Sequence, residues 1–188
     1  MLFRSDIGMD KLKSLITSPL KGLKLAVHYG CHIVKPHDNK PWDDSFEAPH
    51  FFDQLVELTG AVSIPYKDKL MCCGAGGGVR SNEKEISLDF TREKLENMRA
   101  AGVDAIVLCC PFCELQFDLG QTEVNSIFKE KNSAPFNYPV IYISQLLGMA
   151  MGLDPYRLGV LRAPKPKGVP PFQPMESMFV KLKNQIDV

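Results

Sequence analysis

Six cysteines occur in this chain of 188 residues, and all of them fall into three tight groups. The groups are Cys31, the pair Cys72 and Cys73, and the set Cys109, Cys110 and Cys113. Residues 74–78 read Gly-Ala-Gly-Gly-Gly, and residues 110–113 form a CxxC turn. Thiols beside glycines and a CxxC turn can converge on one centre, so the fold has to bring three separate loops together. The grouping is typical of a metal-thiolate site, and a disulfide staple requires none of it.

Strands and helices are predicted to alternate along the chain. Apolar runs predict strands over residues 23–29, 61–64, 104–108 and 139–143. Helical spacing and turn residues predict helices over residues 9–17, 44–60, 82–102, 111–131 and 144–151. Asp44 or Ser45 is the expected cap of the second helix, and Asn82 with Glu85 has the pattern of a capping box.

This alternation favours an α/β fold, with a mostly parallel sheet flanked by helices. Ligands of such folds bind outside the carboxyl ends of the strands, and the first and third cysteine groups follow predicted strands. Apolar residues at helical intervals are expected in the core, among them Ile86, Phe90, Leu95, Met98, Phe117 and Leu119.

The composition changes at Asp154, after which prolines are frequent. Residues 1–153 are therefore predicted to form a single cysteine-rich domain. Residues 154–188 are predicted to be an extended proline-rich C-terminal arm that lies on this or another subunit. Lys181 and Lys183 are expected on a solvated face of that arm.

Charge and hydropathy disfavour two classes of partner. The 22 basic and 22 acidic side chains give a formal net charge of zero without a Lys/Arg block, which disfavours nucleic acid. Residues 1–20 lack the hydrophobic segment of a secretory signal, and no stretch approaches the roughly 20 apolar residues that span a bilayer. The expected location is the cytoplasm, where thiols stay reduced and clustered cysteines more often bind metal than form bridges.

The adjacent pair Cys72 and Cys73 favours a polynuclear centre, because neighbouring residues cannot both bind one tetrahedral ion without strain. Gly74, Gly76 and Gly77 are predicted cofactor-binding residues. They would let the backbone approach a cluster and offer it N–H groups.

Cys31, Cys72-Cys73-Gly74 and Cys110-Pro111-Phe112-Cys113 match the pattern of the cysteine-rich CCG domain. From about Leu23 to Gly148 the chain resembles the family of heterodisulfide reductase B subunits, and in particular their C-terminal half. The resemblance implies an oxidoreductase of methanogenesis that cleaves the mixed disulfide of coenzyme M and coenzyme B in two one-electron steps. It implies as ligands of a noncubane [4Fe-4S] centre the five thiolates of Cys31, Cys72, Cys73, Cys110 and Cys113.

The resemblance also implies partners. Family members usually carry two such motifs and place the substrate between two centres, whereas this chain has one motif. A second CCG domain from another chain or a homodimer is therefore expected, together with an iron-sulfur subunit that donates electrons and a small-molecule disulfide substrate.

Several alternatives remain open. Zinc is the rival metal, although four thiolates suffice for zinc and a fifth would be surplus. Cys110 with Cys113 could form a thioredoxin-like dithiol, and Cys109 is either a small core residue or a supporting ligand. A non-catalytic electron-transfer subunit of a fumarate, succinate, lactate or glycolate oxidoreductase is the alternative function. His32 is the candidate proton donor to a departing thiolate, ahead of His28.

Overall fold

The computed structural model describes residues 6–35, 45, 47–128, 134–161, 178 and 181–182. Seven helices and four strands follow one another in this part of the chain. Their order is α1 (Met9–Ser14), β1 (Lys24–Val27), α2 (Cys31–Val34), α3 (Phe51–Leu58), β2 (Val62–Ser63), α4 (Val79–Asn82), α5 (Lys84–Ala101), β3 (Ala105–Leu108), α6 (Pro111–Ile127), β4 (Val140–Tyr142) and α7 (Ile143–Ala150).

The four strands form one parallel sheet in the order β2-β1-β3-β4. Leu25 pairs with Ala105 between the two central strands, and Ile106 pairs with Val140 at the next ladder. The chain runs from β1 to one edge and then returns to β3 on the other side. The carboxyl ends of β1 and β3 are therefore the switch point at which open α/β sheets bind ligands. The predicted α/β fold with a parallel sheet is confirmed.

Alternate strand residues enter two separate cores, one on each face of the sheet. Leu25, Val27 and Val107 face a core that α3 and α7 complete, whereas Ile106 and Leu108 face a core shared with α5 and α6. Because both faces are covered, the central strands consist almost entirely of buried apolar residues.

Three residues predicted to be core are exposed instead: Ile86 is 53% exposed, Phe90 38% and Leu119 48%. Leu95, Met98 and Phe117, predicted on the same basis, are fully buried. The helices α5 and α6 use a polar and small-residue contact between them, so several of their apolar residues point away from both cores.

The two predicted caps are wrong. Asn82 is the last residue of the short helix α4, so it lacks the extended backbone of an N-cap, and α5 begins only at Lys84 after Glu83. The helix α3 begins at Phe51 after His50, while Ser45 accepts a hydrogen bond from the Ala48 N–H in a separate turn. Asp44, the other candidate, lies outside the described residues.

Most of the predicted proline-rich arm, including Lys183, lies outside the described residues. Met178 and Leu182 are fully buried in the core beside α3 and α7, so these parts of the arm pack on the same chain. Lys181 is exposed, as predicted, and forms an ion pair with Asp104 at 2.5 Å. The boundary at residue 153 stays a prediction.

None of the helices among the described residues has the length and apolar character needed to cross a membrane. The cytoplasmic location stays a prediction.

Candidate metal centre

The first cysteine follows β1 through the segment His28-Tyr29-Gly30. The Tyr29 hydroxyl donates a hydrogen bond to the Asp53 carboxylate (2.6 Å), which also pairs with Lys69 and anchors this segment against α3. Gly30 has a φ of 76°, and an added Cβ there would lie 3.5 Å from the Cys113 sulfur. Glycine therefore allows the chain to turn beside the sulfurs and place Cys31 at the start of α2.

The second cysteine group is held through its backbone by side chains of α5. Thr91 Oγ1 donates to the Cys73 carbonyl and Ser87 Oγ donates to the Gly74 carbonyl, both at 2.9 Å. Gly74 has a φ of 99°, and a Cβ there would overlap the carbonyl oxygen of Ser87. The Cys-Cys-Gly sequence therefore lies directly against the helix, and only glycine permits this approach.

A buried hydrogen-bond network continues from these contacts into α6. Gln116 Nε2 donates to Thr91 Oγ1 at 2.6 Å, and its Oε1 accepts from Arg80 at 2.8 Å. Arg80 also pairs with Glu123 at 2.6 Å. This network connects the helices α4, α5 and α6 to the backbone of Cys73, and so fixes the direction of its side chain.

Lys94 of α5 is fully buried below the same loop. Its Nζ donates to the carbonyls of Asp68, Lys69 and Met71 at 2.9–3.0 Å, immediately before the cysteine pair. Burial lowers the pKa of Lys94 to about 8, although the nearby Cys73 thiolate opposes this shift. The lysine thus fixes the entry to the loop and places a positive charge near the thiols.

We expect Lys94→Met to change how the stability of the metal-free protein depends on pH. The pKa of Lys94 is about 8 in the folded chain, below its usual 10.5, so the unfolded chain binds more protons between these values. The wild type should therefore gain up to about 3 kcal/mol relative to the variant as pH rises from 8 to 10.5. Urea unfolding at several pH values measures the difference, and a flat difference would contradict this assignment.

The third cysteine group follows β3. Pro111 occupies the first turn of α6 with Cys110 as the N-cap, and Cys113 lies in the first turn of the helix. Free N–H groups at the start of a helix stabilise thiolates. Cys109 donates to the Tyr29 carbonyl at 3.8 Å, and burial raises its pKa to about 11.

The three groups meet in one cavity of about 620 Å³. All six cysteines are free thiols and line this cavity, as do His32, Gly76 and Gly77. Gly74 does not line it, because it packs against α5 instead. Tyr29, Ile33 and Phe112 add apolar and aromatic surface to the wall. The sequence-predicted residues, Gly74 excepted, are thus brought together around one space.

The pKa values of the cysteine thiols at the cavity differ from one another. The Cys113 thiol, whose sulfur lies 3.5 Å from that of Cys73, stabilises the Cys73 thiolate and lowers its pKa to about 4. The same contact, together with burial, raises the pKa of Cys113. Burial and the neighbouring Cys72 raise the pKa of Cys31 to about 11. Binding a cationic centre at all these sulfurs would therefore release protons.

Sequence reasoning missed Gly30 and Lys94 and ranked His28 below His32. His28 is 1% exposed, and neither ring nitrogen has a hydrogen-bond partner among the described residues. One of its nitrogens and the sulfurs of Cys73 and Cys113 all lie within 4.8 Å of one another. In the sequence, His28 is visible only as a histidine that follows an apolar run. The direction of its side chain depends on the fold.

Six thiols line the cavity, whereas four thiolates suffice for a tetrahedral zinc ion. With Zn–S bonds of about 2.3 Å, four thiolates would lie about 3.8 Å apart. Among the described residues, His28, Cys73 and Cys113 form a group whose three ligand atoms all lie within 4.8 Å of one another. The fold and the cavity define an α/β domain with a site lined by six thiols.

Comparison with known proteins agrees with this class. A family model described as the CCG cysteine-rich domain matches residues 25–118. The chain is 54% identical over 155 residues to the B subunit of the ferredoxin/F420H2-dependent CoB-CoM heterodisulfide reductase of Methanosarcina acetivorans, covering 82% of this chain and 50% of that protein. The B subunit of the ferredoxin:CoB-CoM heterodisulfide reductase of Methanosarcina mazei is 52% identical with the same coverage.

A more distant relative is the membrane anchor subunit of the 8-methylmenaquinol:fumarate reductase of Wolinella succinogenes. It is 30% identical over 153 residues, which cover 81% of this chain and 51% of the relative. The chain belongs to the CCG family of cysteine-rich domains. The resemblance to the B subunits of heterodisulfide reductases is confirmed, and the chain spans about half the length of the curated relatives it matches.

Proposed function

We propose that this chain is an iron-sulfur subunit of a disulfide-reducing oxidoreductase of the heterodisulfide reductase B type. In this proposal a noncubane [4Fe-4S] centre is held by Cys31, Cys72, Cys73, Cys110 and Cys113. One observation carries the proposal: sulfurs from three distant loops line a single cavity at the switch point of the sheet. The names of the relatives support a disulfide of the coenzyme M and coenzyme B type as substrate.

The residues fit such a group. A bound iron-sulfur centre would supply electrons singly and iron to hold a substrate sulfur. Gly76 and Gly77 present backbone rather than side chains at the cavity wall, which leaves room for a bulky centre. Ile33 and Phe112 provide apolar surface that would exclude water from a disulfide. The His32 imidazole lies at the same cavity and is the proposed proton donor to a released thiolate.

Thiol release tests this function directly. The protein, purified without oxygen and loaded with iron and sulfide, is mixed with the coenzyme M and coenzyme B heterodisulfide and a chemical reductant. Release of two thiols for each disulfide supports the proposal. A loaded protein that accepts electrons but releases no thiol, alone or with a second CCG domain, supports instead the electron-transfer alternative. That alternative is favoured by the identity to a fumarate reductase subunit.

A second CCG domain is the proposed partner, because the relatives are about twice as long as the matched region. An exposed stripe on α6 formed by Phe112, Leu115 and Leu119 supports a protein contact there. The three residues recur at helical spacing, and Phe112 also lines the cavity. A partner on this stripe would therefore also close the site. The iron-sulfur electron donor is proposed as a further subunit.

Leu119→Lys is expected to weaken association with that second CCG domain at least tenfold, because it places a charge in an apolar contact. The partner half of the Methanosarcina acetivorans relative serves as the probe in analytical ultracentrifugation. Gln54→Lys is the matched control, because Gln54 is exposed on α3 at the opposite face of the sheet, and it should bind like the wild type. Equal binding by both variants would place the contact elsewhere.

A further inference from the structure

His28 is a buried polar residue whose ring nitrogens have no hydrogen-bond partner among the described residues. Its ring packs edge-on against Phe117, with 4.9 Å between centroids. A buried N–H without an acceptor costs about 1–3 kcal/mol. The sulfurs of Cys73 and Cys113, within 4.8 Å, are the groups beside the ring that can take up this hydrogen bond.

The His28 ring could act as a direct metal ligand or as a hydrogen-bond donor to a ligating sulfur, and its position relative to the cavity distinguishes these two roles. Cys73 and Cys113 line the cavity, whereas His28 does not. The imidazole therefore approaches the two sulfurs from the protein side, and a group held in the cavity lies on the other side of them. This placement suits a hydrogen-bond donor to a ligating sulfur and does not suit a direct ligand.

We propose that His28 is a positioning residue whose N–H donates a hydrogen bond to the Cys73 sulfur when a metal centre is bound there, and thereby raises the reduction potential of that centre. The inference rests on the proposed function, since it needs a centre bound to Cys73. A donor to a ligating sulfur offsets negative charge and so favours the reduced state.

Two substitutions at this position test the donor. His28→Leu removes the N–H, and His28→Gln keeps an N–H donor on a side chain of comparable reach. Phe117→Leu is the matched control, because it alters the packing against the His28 imidazole and keeps the imidazole itself. Each full-length variant is loaded without oxygen, its iron per chain is measured, and its midpoint potential is titrated with detection by electron paramagnetic resonance.

The expected result is a lower potential for His28→Leu. At the midpoint potential of the wild type, its ratio of reduced to oxidised centre should fall about tenfold, as loss of a hydrogen bond to a charged group predicts. The midpoint potential of His28→Gln should lie between those of His28→Leu and the wild type. That of Phe117→Leu should be close to the wild-type value. Full iron content with an unchanged potential in His28→Leu would overturn the inference and leave the proposed function standing. Equal shifts in His28→Leu and His28→Gln would overturn it too.

A second measurement covers the case in which His28→Leu does not assemble a centre. The His32→Gln protein, labelled with ¹⁵N-histidine and loaded with iron and sulfide, should show a weak nitrogen hyperfine coupling, as expected through a hydrogen bond. No coupling, or the strong coupling of a nitrogen bound to iron, would overturn the donor role. A wild type that binds no iron would remove the proposed function and this inference together.

Discussion

Replacing Cys73 with serine is expected to abolish assembly of the iron-sulfur centre. Cys73 is 3% exposed, its sulfur lies 3.5 Å from that of Cys113, and its carbonyl is held by Thr91. The side chain cannot turn away to let another group replace it. A serine hydroxyl is a poor ligand for iron beside thiolates. Iron and sulfide per chain after anaerobic reconstitution should fall close to zero.

Cys109→Ser is the matched control for this substitution. Cys109 lines the same cavity, but it follows β3 directly and donates its thiol hydrogen to the Tyr29 carbonyl. A serine hydroxyl can keep that hydrogen bond, so iron and sulfide should stay at the wild-type content. Loss of the centre in Cys109→Ser, or its retention in Cys73→Ser, would contradict the proposed ligand set.

Gly74→Ala is expected to destabilise the protein by about 3 kcal/mol or more. The φ of 99° at Gly74 disfavours any side chain, and the new methyl group would overlap the Ser87 carbonyl oxygen. That oxygen belongs to a helical turn of α5 and cannot move without breaking the contacts of Ser87 and Thr91 to the loop. The free energy of unfolding in urea measures the effect.

Gly76→Ala, two residues away, provides a sharp control. Its backbone has no positive φ, and an added Cβ would have no atom within 4 Å. Its stability should stay within about 0.5 kcal/mol of the wild type. Similar losses in both variants would show that the loop responds to any added methyl group, and the close packing of Gly74 on α5 would not be the cause.

The sheet was predictable because its strands have strong local signals. Residues 105–108 are Ala-Ile-Val-Leu, an apolar run of the kind found in central parallel strands, and Pro111 and Gly102 mark the neighbouring helix ends. The place of the first and third cysteine groups followed from this alternation, because Cys31 comes shortly after β1 and Cys109 directly after β3. The predicted site was thus positioned by strand order rather than by any single motif.

The helix faces were less predictable, because spacing alone does not say which side meets the core. Phe90 lies next to Gly74, and Ile86 one turn before it, yet both remain substantially exposed. The contact between α5 and α6 is made by polar groups such as Gln116 and Ser87. Their pairing depends on residues far apart in sequence, so hydropathy could not reveal it.

The supporting residues of the site could not be predicted for the same reason. Lysines are nearly always solvated, and only the folded loop shows that Lys94 has three carbonyl partners. His28 is a candidate supporting residue only because its ring lies beside two sulfurs that come from other loops. Both residues depend on tertiary contacts, which a local pattern does not contain.

Metal analysis of the wild type tests the central claim most directly. The protein is purified without oxygen, and iron, acid-labile sulfide and zinc are measured per chain, together with the electron paramagnetic resonance spectrum of the oxidised form after a thiol is added. A polythiolate site that holds a [4Fe-4S] centre predicts about four irons with matching sulfide and a signal that depends on the thiol. About one zinc per chain without iron would contradict the claim and would make the cysteines a structural scaffold.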